Sequence, residues 1–273
     1  MILNTILSSR KERVGVQIFV FAVALLWVFP IVVALKNSLS VNGFANYTYL
    51  FTHEVGGIKI YKPFINSVVV AAGGTALILI IGTLSAFAFS KLVFFGQKWL
   101  YGFVLMCLSI PGVVVLVPFF YILKGVHLYN TLTAVIFAEV VLTLPFAVLM
   151  LRNFFDNLPN ELMESAHMDG ATSFQTFLHI YLPLARPALI NLGVLCTVWS
   201  FQDYLLPLMF TTKSSLMTAT VAISSFKSNF GFNPADQGRF YAALVLLGLP
   251  ALFIFILAQR YITNGITSGA VKD

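Results

Sequence analysis

Charge is what this 273-residue sequence has least of: Lys, Arg, Asp and Glu together make up 10% of it. A soluble domain carries about 25% charged residues, enough to cover a water-facing surface. With 59% of residues apolar, the composition argues against a soluble enzyme, a secreted domain and a disordered chain. Cysteine is nearly absent too. Cys107 and Cys196 lie far apart, each inside an apolar run, with no Cys-x-x-Cys pair. They form no framework and read as small apolar residues. His53, His127, His167 and His179 show no metal-ligand spacing, and no Ser-His-Asp or Cys-His arrangement emerges. No Gly-x-x-x-x-Gly-Lys-Ser/Thr loop occurs, so any energy from ATP has to come through another polypeptide. The basic residues outnumber the acidic ones, 16 to 10. They are scattered, which suits anchoring at lipid head groups and does not suggest nucleic acid.

What is abundant is long apolar sequence. A helical membrane span needs about 20 mostly apolar residues. Six runs qualify: Val14 to Leu35, Phe64 to Phe89, Trp99 to Leu123, Leu132 to Leu151, Pro187 to Phe210 and Tyr241 to Ile262. Barrel strands would alternate over about ten residues. These runs are continuous, so they read as helices that satisfy their backbone groups internally. The first is followed by further spans, which makes it an uncleaved span rather than a signal peptide.

Polar segments separate the runs. Asn37 to Pro63, Asn153 to Arg186 and Thr211 to Phe240 read as loops, and Ser90 to Lys98 as a short turn. The expected organisation is an N-terminal segment, first span and outside loop over 1–63, a transmembrane domain over 64–262 and a tail over 263–273. With the N-terminus inside, nine Lys and Arg fall on inside segments and seven outside. That margin is small, but Arg10, Lys11 and Arg13 beside the first span favour N-in. Six spans then place both termini in the cytoplasm.

The most specific stretch follows span four: Pro159-Asn160-Glu161-Leu162-Met163-Glu164-Ser165-Ala166-His167-Met168-Asp169-Gly170-Ala171. Pro159 stops the preceding helix, and Asn157 or Asn160 can cap the next. Glu161 and Glu164 suit a first turn. Leu162, Met163 and Ala166 form one apolar side at helical spacing. Gly170 ends the helix, because Gly accepts positive φ there. Phe174, Phe177 and Ile180 or Tyr181 begin a second apolar face, and Pro183 and Pro187 break the chain before span five. A helix, a Gly turn and a second helix are expected on the membrane surface.

This loop resembles the "EAA" signature of permease subunits of binding-protein-dependent ABC importers. Glu164-Ser165-Ala166, Gly170, then nine residues, then Ile180 and Leu182-Pro183 fall at the signature's positions, with Ser165 in place of an alanine. Asn66-Ser67, Ser85-Ala86-Phe87-Ala88-Phe89-Ser90-Lys91, Pro111, Pro118, Leu128-Tyr129-Asn130-Thr131 and Leu144-Pro145-Phe146 are also similar to the MalG-like carbohydrate permeases. In span five that family usually shows Trp-Asn-Asp; here Phe201-Gln202-Asp203 precedes Pro207.

The resemblance implies an all-α integral membrane protein with the six-span fold of type I ABC importer permeases. It implies transport rather than covalent chemistry, of a sugar or oligosaccharide, by alternating access. Expected partners are a second, different permease subunit, two copies of a cytoplasmic ATPase, an extracellular binding protein and membrane lipid. No cofactor is expected on this chain, with ATP and Mg on the ATPase, in a bacterial inner membrane. The loop becomes a coupling helix that docks on the ATPase through Glu161, Met163, Glu164, Ser165, Ala166, Asp169, Gly170 and Ala171, with Met163 and Ala166 offering contact surface. Gly269, Ala270, Val271 and Lys272 resemble a tail that reaches the ATPase. The loop from Thr211 to Phe240 resembles the one that meets the binding protein.

Glu139, inside span four, costs about 2.5–3.5 kcal/mol on insertion scales, so it should face a cavity or a partner. With Phe201, Gln202, Asp203 and Tyr204 it forms the expected substrate pathway; an interhelical hydrogen bond is the alternative. Glycerol phosphate is the rival cargo. An ion-coupled secondary transporter and a membrane scaffold are the rival classes.

Overall fold

The computed structural model describes residues 10–231 and 233–270. All regular structure among them is helical, and the one β-pairing is an isolated bridge between Val55 and Ile58. In chain order the helices are α1 (Arg10–Ser38), α2 (Ala45–Thr52), α3 (Tyr61–Lys91), α4 (Gln97–Leu108), α5 (Gly112–Gly125) and α6 (Leu132–Asp156). Then come α7 (Glu161–Met168), α8 (Ser173–Leu184), α9 (Arg186–Gln202), α10 (Leu205–Phe210), α11 (Ala219–Asn229) and α12 (Pro234–Ala270).

Four helices are long and apolar enough to cross a membrane alone: α1 from Val14, α3, α6, and α12 as far as Ile256. Two bent pairs are long and apolar enough only when taken together, α4 with α5 at 106° and α8 with α9 at 72°. Counting each pair once gives up to six crossings by length and composition, the number expected, although α8 lies in the expected loop Asn153 to Arg186 and not in the expected fifth span. Their shapes differ from expectation. The run Trp99 to Leu123 is not one helix. Pro111 restricts Ile110 to non-helical backbone, so α4 ends at Leu108 and Pro111 caps α5. The run Pro187 to Phe210 breaks too: Asp203 is extended (ψ 127°) and its carboxylate accepts from the backbone N–H groups of Leu205 and Leu206, starting α10. Pro30, Pro118, Pro145 and Pro250 remain inside helices.

The centre of the molecule is α3 against α6. Small residues let the backbones approach: a Cβ on Gly82 would lie 3.3 Å from that of Ala147, and Ala71, Ala86 and Ala147 are fully covered. Ile78, Phe87, Leu151, Phe155, Tyr181 and Leu192 continue this core toward one end of the bundle, where α7 lies.

The other end carries a lid that the polarity of the sequence concealed. Two of the expected loops are partly helical. Within Asn37 to Pro63 lies α2; within Thr211 to Phe240 lie α11 and the start of α12. Leu50, Ile60, Ile223, Phe226, Ala242 and Ala243 form their common core. Asn66 and Ser67 tie this lid to α3. Asn66 Nδ2 donates to Ser215 O and Met217 O at 2.9 Å each, and Ser67 Oγ accepts from Ala219 N at 2.9 Å. By contrast α1 stays exposed along its apolar length and packs chiefly on α12.

Candidate functional site: a polar cavity and a two-helix elbow

Two places carry polar groups where composition predicts none. The first is a cavity of about 420 Å³ among α3, α5, α6 and α9. Glu139 reaches it from the N-terminal third of α6 and is only 7% exposed. Its Oε1 accepts from Ser200 Oγ at 3.0 Å, while Oε2 has no hydrogen-bond partner among the described residues. Asp203 enters from the α9–α10 break. Its Oδ1 is held by Leu205 N at 2.9 Å and Leu206 N at 3.3 Å, and its Oδ2 is buried without a hydrogen-bond partner among the described residues. Gln202, Trp199, Thr143 and Thr75 complete the polar wall.

The structure therefore brings Glu139, Gln202 and Asp203 together. It does not bring Phe201 or Tyr204. Phe201 is turned away beside Ala72 and Pro250, and Tyr204 is exposed outside the cavity wall. The helical period explains this: Trp199 and Gln202, three apart, share a face that Phe201 does not. Sequence reading missed Trp199 and Ser200, although their spacing from Gln202 and Asp203 was the available signal. An indole is thus present at the cavity, supplied two positions before Phe201. Its ring packs edge-on against Phe146, with centroids 5.3 Å apart.

Room for Glu139 is made by Gly74, where a Cβ would lie 3.0 Å from Oε2. Gly74→Ala is expected to displace the carboxylate at a cost of about 1 kcal/mol. On the transport role that the sequence resemblance implies, uptake should fall several-fold while the protein is recovered from membranes at the wild-type level, as read by transport assay and immunoblot. Unchanged uptake would remove Glu139 from the pathway.

The second place is the elbow formed by α7 and α8. Its turn is built from local rules. Gly170 has φ +81°; Gly170 N donates to His167 O at 3.0 Å and Ala171 N to Ala166 O at 2.9 Å, the two closing bonds of a Schellman turn. Thr172 then caps α8 in a reciprocal box with Gln175: Thr172 N donates to Gln175 Oε1 at 2.8 Å, and Gln175 N to Thr172 Oγ1 at 3.3 Å. Across Phe177–Tyr181 the helix widens to a π-turn, which lets Phe177 and Tyr181 both bury against Phe87, with ring centroids at 4.9 and 5.3 Å.

Asn160 does not cap α7 with its side chain. It is held instead by Lys91 from the end of α3, whose Nζ donates to Asn160 Oδ1 and to Leu158 O at 2.7 Å each. Tyr181 Oη donates to Pro159 O at 3.3 Å. These long-range ties have no local sequence signal. A further correction concerns the outward face. Met163 and Ala166 are buried against the bundle, because the apolar side of α7 turns inward. Glu161, Glu164, Ser165, Asp169 and Gly170 are exposed and Ala171 is half-buried. The free apolar surface is provided by Met168 and Phe174, 88% and 60% exposed. Between α7 and α8 the surface is concave, with Asp169, Gly170, Gln175 and His179 along it. Val271 and Lys272 lie outside the described residues, as do the side chains of Gly269 and Ala270.

Apolar crossings, a polar cavity within them and a docking-shaped elbow at one end define an integral membrane transport component. More particularly, residues 78–268 match the family described as binding-protein-dependent transport system inner membrane component, and the chain belongs to that family. It is 31% identical over 277 residues to the arabinooligosaccharides transport system permease protein AraQ of Bacillus subtilis, covering 95% of this chain and 96% of that protein. It is 30% identical over 256 residues to the trehalose transport system permease protein SugB of Mycobacterium tuberculosis, covering 90% and 91%. Among solved structures, a bacterial ABC transporter involved in import of the acidic polysaccharide alginate has a chain that superposes with a TM-score of 0.81 at 19% identity, over 93% of this chain and 99% of that one. The expected family and the type I importer permease fold are thereby established.

Proposed function

We propose that this chain is a permease subunit of an ATP-driven importer that passes a sugar or oligosaccharide into the cytoplasm by alternating access. The observation that carries this is the pairing of a polar cavity inside the apolar bundle with an elbow fixed to the same helices. Glu139 and Asp203 lie near one end of α6 and α9's approach to α10, and the elbow joins the other ends of α6 and α9. A push on α7 therefore acts on the helices that wall the cavity. The carbohydrate assignment is supported by relatives whose names specify sugars.

The elbow's exposed Glu161, Glu164, Ser165, Met168 and Asp169 form the docking surface for a separate ATPase, which binds ATP and Mg. This orients the elbow, and with it both chain termini, to the cytoplasm, and turns the α2–α11 lid outward toward a solute-binding protein. A second, different permease subunit completes the pathway. Covalent chemistry has no place in this role: the cavity groups accept hydrogen bonds from hydroxyls, and the indole offers a face to a sugar ring.

The test is mass spectrometry of the complex purified in mild detergent from its native cell through a tag on this chain. A second permease and an ATPase, with two ATPase copies for each permease pair, support the proposal. Recovery of this chain without an ATPase overturns it in favour of ion-coupled transport through Glu139 and Asp203. In the assembled complex, Glu139→Ala and Asp203→Ala should each lower uptake at least tenfold with assembly retained. Equal loss of assembly and uptake would assign both carboxylates a structural role only.

A further inference from the structure

Carbohydrates that share the same hydroxyls differ in charge: neutral sugars, amino sugars, and uronic or phosphorylated sugars. The cavity has something to say about that difference. Two carboxylates, Glu139 and Asp203, enter it, and no Lys, Arg or His lines it among the described residues. Each carboxylate keeps one oxygen without a hydrogen-bond partner among the described residues. The oxygens already engaged are held by Ser200 Oγ and by the N–H groups of Leu205 and Leu206, so neither carboxylate is paired with a cation. The remaining polar lining is neutral: Thr75, Thr143, Ser200 and Gln202, with the Trp199 indole.

Resting on the carbohydrate reading, we infer that this cavity is a charge filter that passes neutral and amino sugars and rejects acidic ones. Free carboxylate oxygens accept hydrogen bonds from sugar hydroxyls or from an ammonium group. When ionised, the pair repels a uronate or phosphate, and no cation among the described residues lining the cavity offsets this. Fold likeness to a transporter of acidic alginate does not extend to cargo here, because the lining residues decide it. The same lining argues against glycerol phosphate.

The experiment reads charge and occupancy at one thiol. Thr143→Cys is placed in a Cys107→Ser, Cys196→Ala background and the complete complex is purified through a tag on this chain. Labelling rates are compared for trimethylammonioethyl and sulfonatoethyl methanethiosulfonate, with N-acetylcysteine as the free-thiol reference. The cation-to-anion rate ratio should exceed the reference ratio at least tenfold, and fall to it when Glu139→Gln and Asp203→Asn are added. Millimolar maltose, trehalose or arabinobiose should slow labelling, and digalacturonate should not.

A ratio equal to the free-thiol value in the unaltered-carboxylate background overturns the filter, whether or not the double variant assembles. Protection by digalacturonate equal to that by the neutral sugars overturns it as well, while leaving the carbohydrate reading in place. A biased ratio with no protection by any sugar overturns the carbohydrate reading, and with it the sugar classes assigned here.

Discussion

Gly170→Arg abolishes uptake, at least a hundredfold, while the protein still reaches the membrane and assembles. A left-handed backbone costs an L-residue about 1–2 kcal/mol. That strain falls on an exposed turn with no atom within 4 Å of the added Cβ, so the bundle keeps its core. The cost is taken up in the closing bonds from Gly170 N and Ala171 N, and α7 loses its fixed angle to α8. A long cation also enters the concave surface between them. The expected result is wild-type recovery of the complex, with ATP hydrolysis no longer stimulated by substrate. Substrate-stimulated hydrolysis at the wild-type level would remove the elbow from coupling. Gly170→Ala separates the two effects, because it keeps the strain and omits the bulk and charge.

Tyr181→Ala is expected to have the largest effect on stability. The side chain is fully buried among Phe87, Phe155 and Phe177, and emptying an aromatic site of this kind costs about 3–5 kcal/mol. The elbow should detach from α3 and α6 before the bundle opens. Limited proteolysis should therefore cut within 157–185 first, and the thermal midpoint in detergent should drop. Tyr181→Phe retains the ring and loses only the 3.3 Å bond to Pro159 O, so it should lower stability by about 1 kcal/mol or less. Equal damage from both substitutions would place the weight on the hydroxyl and not on the packed ring.

The elbow was legible because its determinants are local. Gly170 and the apolar positions of α7 act within a few residues of one another; the Thr172–Gln175 box is just as local but was not read from the sequence. What escaped was direction. The apolar side formed by Leu162, Met163 and Ala166 was visible, but its inward orientation depends on Phe155 and Phe177 elsewhere in the chain. Met168 and Phe174 became the free surface for the same reason. The span breaks were half-legible. Prolines fall within most of the apolar runs, and Pro111 breaks its helix while Pro118 and Pro145 remain within theirs. Proline's lost hydrogen bond is the same at each; what differs is how neighbouring groups compensate, which no local pattern records. In the cavity, Glu139 announced itself by the energetic cost of a carboxylate in a span. Ser200 and Gly74 did not, since small residues in an apolar helix are ordinary until a partner stands opposite. The lid was missed because α2 and α11 are short and mixed in polarity.

The loose first helix bears on how this protein is made. Among the described helices α1 leaves the ribosome before the others, and its main partner, α12, after them. Throughout synthesis α1 must therefore rest in lipid unpaired, stable through its own apolar length and internal hydrogen bonds, while the α3–α6 pair can already form. Insertion and assembly are thus separated in time. A chain truncated before Pro234 should leave α1 in the membrane without its docking site.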